Sequence, residues 1–132
     1  MNETQLDIAA HHYIIAAIWA DCPEGTNPRA THAAMKAARE HVRQFVTAIG
    51  ADTFTALMAC HVFGYGAHAD CGNIEPACAA MGHDIWLTRQ GHGVGFWDRK
   101  ELPATLRDAC TQACRKMGEC YPEFYRGWLY LR

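Results

Sequence analysis

Six cysteines and histidines that could bind a metal or supply a nucleophile fall within one stretch of the chain. They are Cys60, His61, His68, Cys71, Cys78 and His83. A structural zinc site needs four converging ligands and usually pairs two cysteines across two to four residues, a spacing this stretch lacks. His68 and Cys71 come nearest to it, and Cys110 and Cys114 share an apolar helix stripe. We expect buried thiols and surface histidines, with no metal and no cofactor, and keep a metal site at 60–83 as an alternative.

The same residue types could instead act as a nucleophile or a general base. Adjacent residues on a helix point in different directions, so His61 could not activate Cys60. The turn RQGHGVG places His92 between two glycines, where it lacks the rigid support that a catalytic base needs. The turn also lacks the Gly-Lys-Ser/Thr ending of a phosphate loop and opens no helix. The lack of a supported base or nucleophile favours a protein without enzymatic activity. An enzyme that uses His92 with Arg89 or Asp98 stays an alternative.

A basic stripe follows the outer side of the second predicted helix. It consists of Arg29, Lys36, Arg39 and Arg43, with His32 beside them. The stripe could contact phosphates, but Glu40 interrupts it and can pair with Lys36 or Arg43. The formal net charge of the chain is -2, whereas a general nucleic-acid binder usually has a basic excess. We therefore interpret the stripe as a solvated face. It is our second candidate for a binding surface, after the aromatic hairpin described below.

Helical periodicity predicts the elements that position these residues. Residues 4–20 form a helix with apolar stripes on two faces, which is typical of a helix in the core or at an interface. Asn27 caps a second helix with Pro28 at its first position, and Gly50 ends that helix. Further helices are predicted from Asp52, over residues 75–81 and over residues 103–117.

The pattern changes to strands in the segment GHDIWLTRQGHGVGFWDR, residues 82–99. DIWLTR and VGFWDR flank QGHG, which predicts an aromatic hairpin, and RGWLYLR predicts a third strand at the C terminus. A length of 132 residues fits one compact domain over residues 1–132. The expected fold class is α+β, with four or five helices packed against a small antiparallel sheet of about three strands, built on the aromatic hairpin.

The aromatic hairpin is the strongest binding signal in the sequence. One face of it must cover the helices, so at least one of Trp86 and Trp97 lies on the outer face. Exposed aromatic residues beside Arg and Asp are typical of interaction hot spots. The predicted binding surface comprises Trp86, Arg89, Gln90, His92, Trp97 and Asp98. The alternative is an aromatic cluster that only holds the sheet together.

The cysteine count and the first residues bear on location. The seven cysteines are an odd number, and residues 1–20 contain no Lys or Arg, so the positive start of a signal peptide is missing. The apolar run YIIAAIWA is too short to span a membrane. We expect reduced thiols and a cytoplasmic location.

The segment 82–99 resembles one that recurs in small, mostly uncharacterised proteins of bacteriophages and prophages. Those proteins read Gly-His-Asp-Phe-Trp-Leu-Thr-Arg, a polar residue, Gly-His-Gly, a small residue and Gly-Phe-Trp-Asp. This chain departs from them at Ile85, where they have Phe, and at Gln90, where Asn is common. A weaker similarity covers YIIAAIWA and the following helix. The resemblance implies a phage accessory protein, and such proteins often bind a host machine, including restriction or CRISPR effectors.

These observations predict a small phage-derived binding protein that inhibits a host bacterial defence machine by protein–protein contact, in the manner of an anti-CRISPR. The expected location is the cytoplasm of the host cell, and the partner is a host protein complex, with neither a membrane nor nucleic acid. The two-sided first helix and the surplus aromatic surface also predict a homodimer. The alternatives are a small enzyme that modifies or cleaves a host factor and a metal-stabilised nucleic-acid-binding module.

Overall fold

A computed structural model describes residues 1–23, 25–67 and 75–132 of the chain. Within these ranges the helices are α1 (Glu3–Asp21), α2 (His32–Ile49), α3 (Ala51–Ala59), α4 (Pro76–Arg89) and α5 (Ala104–Met117). The strands are β1 (Arg29–Ala30), β2 (Pro122–Tyr125) and β3 (Trp128–Leu131), and two 3-10 turns span Cys60–Phe63 and Phe96–Asp98. The predicted α+β class, with four or five helices and about three strands, is confirmed.

Helices α1 and α4 lie against each other at the centre of the fold. A Cβ atom at Gly82 would overlap the backbone carbonyl of Ala9, so the close approach of the two helices depends on a glycine there. One apolar stripe of α1 is buried in the core: Leu6, Ala10, Tyr13 and Ala17. On the other stripe, Ile15 and Trp19 are 36% and 71% exposed. The fold therefore covers one of the two stripes, and the homodimer that we expected from the two-sided pattern stays a prediction.

Helix α2 begins later than the sequence predicted. The hydroxyl of Thr31 accepts a hydrogen bond from the Ala34 amide and caps the helix, so the expected cap at Asn27 with Pro28 is wrong. Arg29 and Ala30 instead form strand β1, because the Arg29 amide donates to the carbonyl of Gly127 in the C-terminal hairpin. A long-range pairing of this kind leaves no local signal in the sequence.

The predicted hairpin of residues 82–99 is also wrong, since α4 continues through Arg89. The helix ends in a Schellman motif, in which the amide of Gly91 donates to Thr88 and the amide of His92 donates to Leu87. Gly91 has a φ of +70°, as the residue after a helix C-cap requires. The segment VGFWDR then forms a 3-10 turn in place of a strand.

The three-stranded sheet is mixed and has the order β1-β3-β2. Strand β3 pairs antiparallel with β2 and parallel with β1, which corrects the fully antiparallel sheet we expected. The hairpin of this fold joins β2 to β3 through Arg126 and Gly127, both with positive φ, as the two-residue turns that suit a twisted hairpin require. Leu129 on the inner face of the sheet is buried, and β3 contacts α2.

Candidate functional site

The segment that the sequence singled out as a binding surface lies mostly inside the molecule. Trp86 is fully buried; its indole packs edge-on against Tyr13, with ring centroids 5.2 Å apart, and its Nε1 donates to Asp21 at 2.6 Å. Arg89 is buried as well, and its guanidinium donates to the carbonyl of Gly118 at 2.7 Å and to the hydroxyl of Tyr13 at 2.8 Å. The prediction that Trp86 and Arg89 meet a partner is wrong, because α4 is surrounded by other elements.

Gln90 and His92 are partly exposed but hold other parts of the chain in place. The Gln90 amide group donates to the carbonyl of Cys120 at 2.7 Å and accepts from the amide of the same residue at 2.8 Å. The Nε2 atom of His92 lies 3.2 Å from both carboxylate oxygens of Asp21 at the end of α1. Of the six predicted residues, Trp97 and Asp98 are the two that the structure leaves exposed.

A cavity of about 560 Å³ lies beside the α1–α4 contact. Its apolar lining comes from α1, α4 and the segment after α4: Ile15, Trp19, Ala80, Leu87 and Val94. Its polar lining is His12, Tyr65, His83, Arg99 and Glu101, with Gly66 beside them. A concave, largely apolar site with a few converging polar groups is the usual form of a small-molecule site.

A buried ion pair supports the polar end of this cavity. The carboxylate of Asp84 is fully buried and accepts from the hydroxyl of Tyr65 at 2.8 Å and from Nη2 of Arg99 at 2.6 Å. The Nε atom of Arg99 donates to both carboxylate oxygens, at 3.0 and 3.1 Å. Burial raises the pKa of Asp84 while Arg99 and Tyr65 oppose the rise, and the hydrogen bond to Asp84 raises the pKa of Arg99. The pair is charge-compensated and fixes the Arg99 guanidinium at the cavity.

Two histidines face each other at the same cavity. The rings of His12 and His83 lie 5.2 Å apart, and Nδ1 of His12 is buried with no hydrogen-bond partner among the described residues. Burial, with smaller contributions from His83 and His11, lowers the pKa of His12 to about 4. Burial and the charge of Arg99 also lower the pKa of His83. Both rings are therefore neutral at pH 7, and each offers one donor and one acceptor.

Five buried cysteines of the described chain are not reactive thiolates, and none of them lines this cavity. Burial raises the pKa of five thiols: Cys60, Cys78, Cys110, Cys114 and Cys120. A thiol with a raised pKa is a poor nucleophile. Within residues 1–23, 25–67 and 75–132, no three His, Cys, Asp or Glu side chains are placed to hold a metal ion. His68 and Cys71, which came nearest to a zinc spacing, lie outside the described residues.

The outer face of the sheet carries a second concentration of exposed groups. Four aromatic side chains, between 37% and 67% exposed, lie on it: Tyr121, Tyr125, Trp128 and Tyr130. Tyr125 is paired with Trp128 in the strand register, and Tyr130 is paired with Glu123. We call these four residues the aromatic face. Trp128 and Tyr130 were visible in the sequence within RGWLYLR, but strand β2, which adds Tyr125, was missed.

Arginines surround the aromatic face. The Arg126 guanidinium lies 5.2 Å from the centroid of the Tyr125 ring, a cation–π distance. Arg132 forms a 2.8 Å ion pair with Glu123, and exposed Arg29 lies beside Trp128 in the register of β1 and β3. Arg29 therefore belongs to the rim of the aromatic face, although the sequence placed it on the basic stripe of α2.

The rest of the basic stripe is largely paired with acidic residues. Arg39 forms ion pairs with Glu3, at 2.6 Å, and with Asp7, both on α1. Arg43 lies 3.6 Å from Glu40 and 4.0 Å from Glu3. Lys36 is exposed. The acidic residues of α1 thus offset much of the charge that the stripe would present to a phosphate backbone.

No family model matches this chain, and neither a curated protein nor a solved structure matches it. In the part of the chain that the structure describes, no single helix is both long and apolar enough to cross a membrane. The helices spanning residues 32–49 and 51–63, bent by 103°, pass that test of length and composition only when they are taken together. Function must therefore be inferred from the aromatic face and the cavity.

Proposed function

We propose that this protein is a small binding protein that docks on a protein partner through the aromatic face. The observation that carries the proposal is the grouping of four exposed aromatic side chains on one side of a three-stranded sheet. Large aromatic side chains contribute most of the binding energy in many protein interfaces, and Tyr, Trp and Arg are the residues most enriched there.

The aromatic face is held in place before a partner arrives. Strand β3 lies between β1 and β2, and Leu129 anchors it to the core. The Tyr125–Trp128 pair has a fixed register next to the two-residue turn. A surface that is ordered in the free protein loses less conformational entropy on binding, so more of its contact energy is retained as affinity.

The charges around the face favour a protein partner with acidic residues at its rim. Arg29, Arg126 and Arg132 lie around the aromatic side chains, and Glu123 compensates only Arg132 among them. Single-stranded nucleic acid can also stack on aromatic residues of a sheet. A long polyanion would feel the net charge of -2 of the whole chain, which opposes its binding. A few acidic residues at the rim of a protein partner would instead interact mainly with the arginines around the aromatic face.

The choice of partner follows the resemblance of residues 82–99 to phage and prophage proteins. We propose a protein subunit of a bacterial defence machine as the partner, with stoichiometric, anti-CRISPR-like inhibition in the host cytoplasm. The resemblance and the aromatic face together support this choice of partner. The choice is an analogy with what phage accessory proteins often do.

The test compares Trp128→Ala with Trp97→Ala against purified restriction and CRISPR effector complexes. The two tryptophans are similarly exposed, at 44% and 47%, so Trp97→Ala is a matched control. We expect inhibition of one effector at a one-to-one ratio, and a loss for Trp128→Ala of about 2 kcal/mol, roughly 30-fold in Kd. Circular dichroism of both variants checks that the sheet is intact.

Three results would contradict the proposal. Equal binding by Trp128→Ala and the parent would remove the aromatic face from the interface. Inactivation of an excess of effector would indicate an enzyme. Tight, salt-sensitive binding to a single-stranded oligonucleotide, lost in Trp128→Ala, would assign the face to nucleic acid.

A further inference from the structure

We propose that the cavity beside the α1–α4 contact binds a small, uncharged, planar heteroaromatic molecule of about the size of a nucleobase. Its volume of about 560 Å³ lies within the range of small-molecule sites, which is roughly 300–1,000 Å³. This site is separate from the aromatic face, since the two share no residue, and the inference does not depend on the proposed partner.

The walls of the cavity suit a flat apolar body. Ile15, Leu87 and Val94 supply aliphatic contacts from three different segments of the chain. Trp19 also lines the cavity and is 71% exposed, so much of its indole surface is uncovered. An aromatic ring at the mouth of an apolar cavity can stack on a planar ligand and shield it from water.

The charged groups argue against an anionic ligand. Among the described residues that line the cavity, the fully charged side chains are Arg99 and Glu101. Two nitrogens of Arg99 already donate to the buried carboxylate of Asp84, which leaves fewer of its donors free to bind an anion. Glu101 adds a negative charge, which repels carboxylates and phosphates, while the nearby guanidinium opposes a cation.

The polar groups suit a ligand that has both donors and acceptors on its edge. The rings of His12 and His83 lie 5.2 Å apart at the cavity, and Nδ1 of His12 has no partner within the described chain. The Nδ1 atom of His12 is itself covered, so the imidazole that a ligand in the cavity meets directly is that of His83, which is partly exposed. A neutral heteroaromatic ring presents ring nitrogens and N–H groups that match neutral imidazoles.

The experiment titrates the isotopically labelled protein with adenine, uracil and nicotinamide, followed by two-dimensional NMR. Benzoate and benzamidine serve as the anionic and cationic probes of similar size. We expect at least one neutral heteroaromatic to shift the resonances of His83 and Leu87 with a Kd of about 1 mM or tighter, and both charged probes to bind at least tenfold more weakly.

Two variants locate the binding. Trp19→Ala removes the ring at the mouth and should weaken the heteroaromatic at least fivefold, whereas the matched control Trp128→Ala, on the aromatic face, should leave it unchanged. No shift with any neutral probe up to about 5 mM would overturn the inference. A charged probe that binds more tightly than all three neutral probes would overturn the ligand class, and a loss in Trp128→Ala alone would overturn the location.

Discussion

The ion pair beneath the cavity gives the sharpest test of how this fold is stabilised. Arg99→Met keeps a side chain of similar length but removes the guanidinium that contacts both oxygens of Asp84. The carboxylate would remain fully buried, with the Tyr65 hydroxyl as the donor that the structure still gives it. Removing one partner of a buried pair destabilises proteins by about 3–5 kcal/mol, because the other charge is left without compensation.

The exposure of Arg99 decides where in that range the loss falls. Its side chain is 31% exposed, so water already weakens the pair, and we expect a loss of about 3 kcal/mol. The unfolding entropy of a typical domain is about 2.1 cal/mol/K per residue, which gives about 0.28 kcal/mol/K for 132 residues. The melting temperature of Arg99→Met should therefore fall by about 11 °C relative to the parent.

The pH dependence of this loss identifies its cause. Without the guanidinium, the hydrogen bond from Tyr65 still opposes the effect of burial, but the pKa of Asp84 rises further above its unfolded value. A raised carboxyl pKa means that the folded state holds its proton more tightly, so the variant gains stability relative to the parent as the pH falls. The difference in unfolding free energy between parent and Arg99→Met should shrink between pH 7.5 and pH 5.

Urea unfolding of four proteins completes the test: the parent, Arg99→Met, Asp84→Asn and the double variant. The double variant should be more stable than Arg99→Met alone, since it no longer buries an unpaired charge. A melting temperature for Arg99→Met within about 2 °C of the parent would refute the reasoning. So would a deficit of the same size at pH 7.5 and pH 5.

Three further predictions concern the core. Burial lowers to about 4 the pKa of His12 and also that of His41 on α2, whose Nδ1 lies 2.9 Å from the Tyr13 hydroxyl. Urea midpoints should therefore be highest above about pH 6.5 and should fall as the pH drops towards 4, because the unfolded state binds more protons there. Gly82→Ala forces a Cβ onto the carbonyl of Ala9 and should destabilise the fold by at least about 1 kcal/mol in thermal unfolding, although alanine has the better helix propensity. An unchanged melting temperature would contradict the close helix contact. A thiol reagent should modify the half-exposed Cys22 quickly in the native protein and the five buried thiols only on unfolding, as peptide mapping would show. Fast labelling of the buried thiols would contradict their placement.

The elements with a regular apolar period were predictable from the sequence. Helix α1 spans Glu3–Asp21 where residues 4–20 were expected, and α5 spans Ala104–Met117 where residues 103–117 were expected. The amphipathic pattern of α5 explains the second agreement, because its buried residues recur at helical spacing on one face. Strand β3 was also foreseen, from the β-rich residues of RGWLYLR.

Helix α4 was not predictable in this way, because it is buried on nearly every side. A fully buried element has no polar face, so its hydrophobicity shows neither a helical nor a strand period. Its residues include Ile85, Trp86 and Thr88, which favour strands, and the glycine that ends it resembles a hairpin turn. Tertiary packing against α1 overrides these local preferences.

The candidate sites depend on contacts that spacing cannot reveal. The cavity joins His12 of α1 to His83 of α4, and Arg99 reaches back across 15 residues to Asp84. The sequence drew attention to His83 only as a metal ligand. It drew no attention to His12 beyond its place on a helix stripe, since nothing local indicates that two histidines 71 positions apart face each other.

The placement of residues 82–99 bears on the likeness to phage proteins that we propose. Most of its polar residues make internal contacts: Asp84 with Arg99, Arg89 with Tyr13, and Gln90 with the backbone of Cys120. A protein that shares this segment would need the same neighbours to satisfy those buried groups, so the resemblance implies a shared core before it implies a shared partner. The aromatic face lies outside the segment, and relatives that differ there would differ in what they bind.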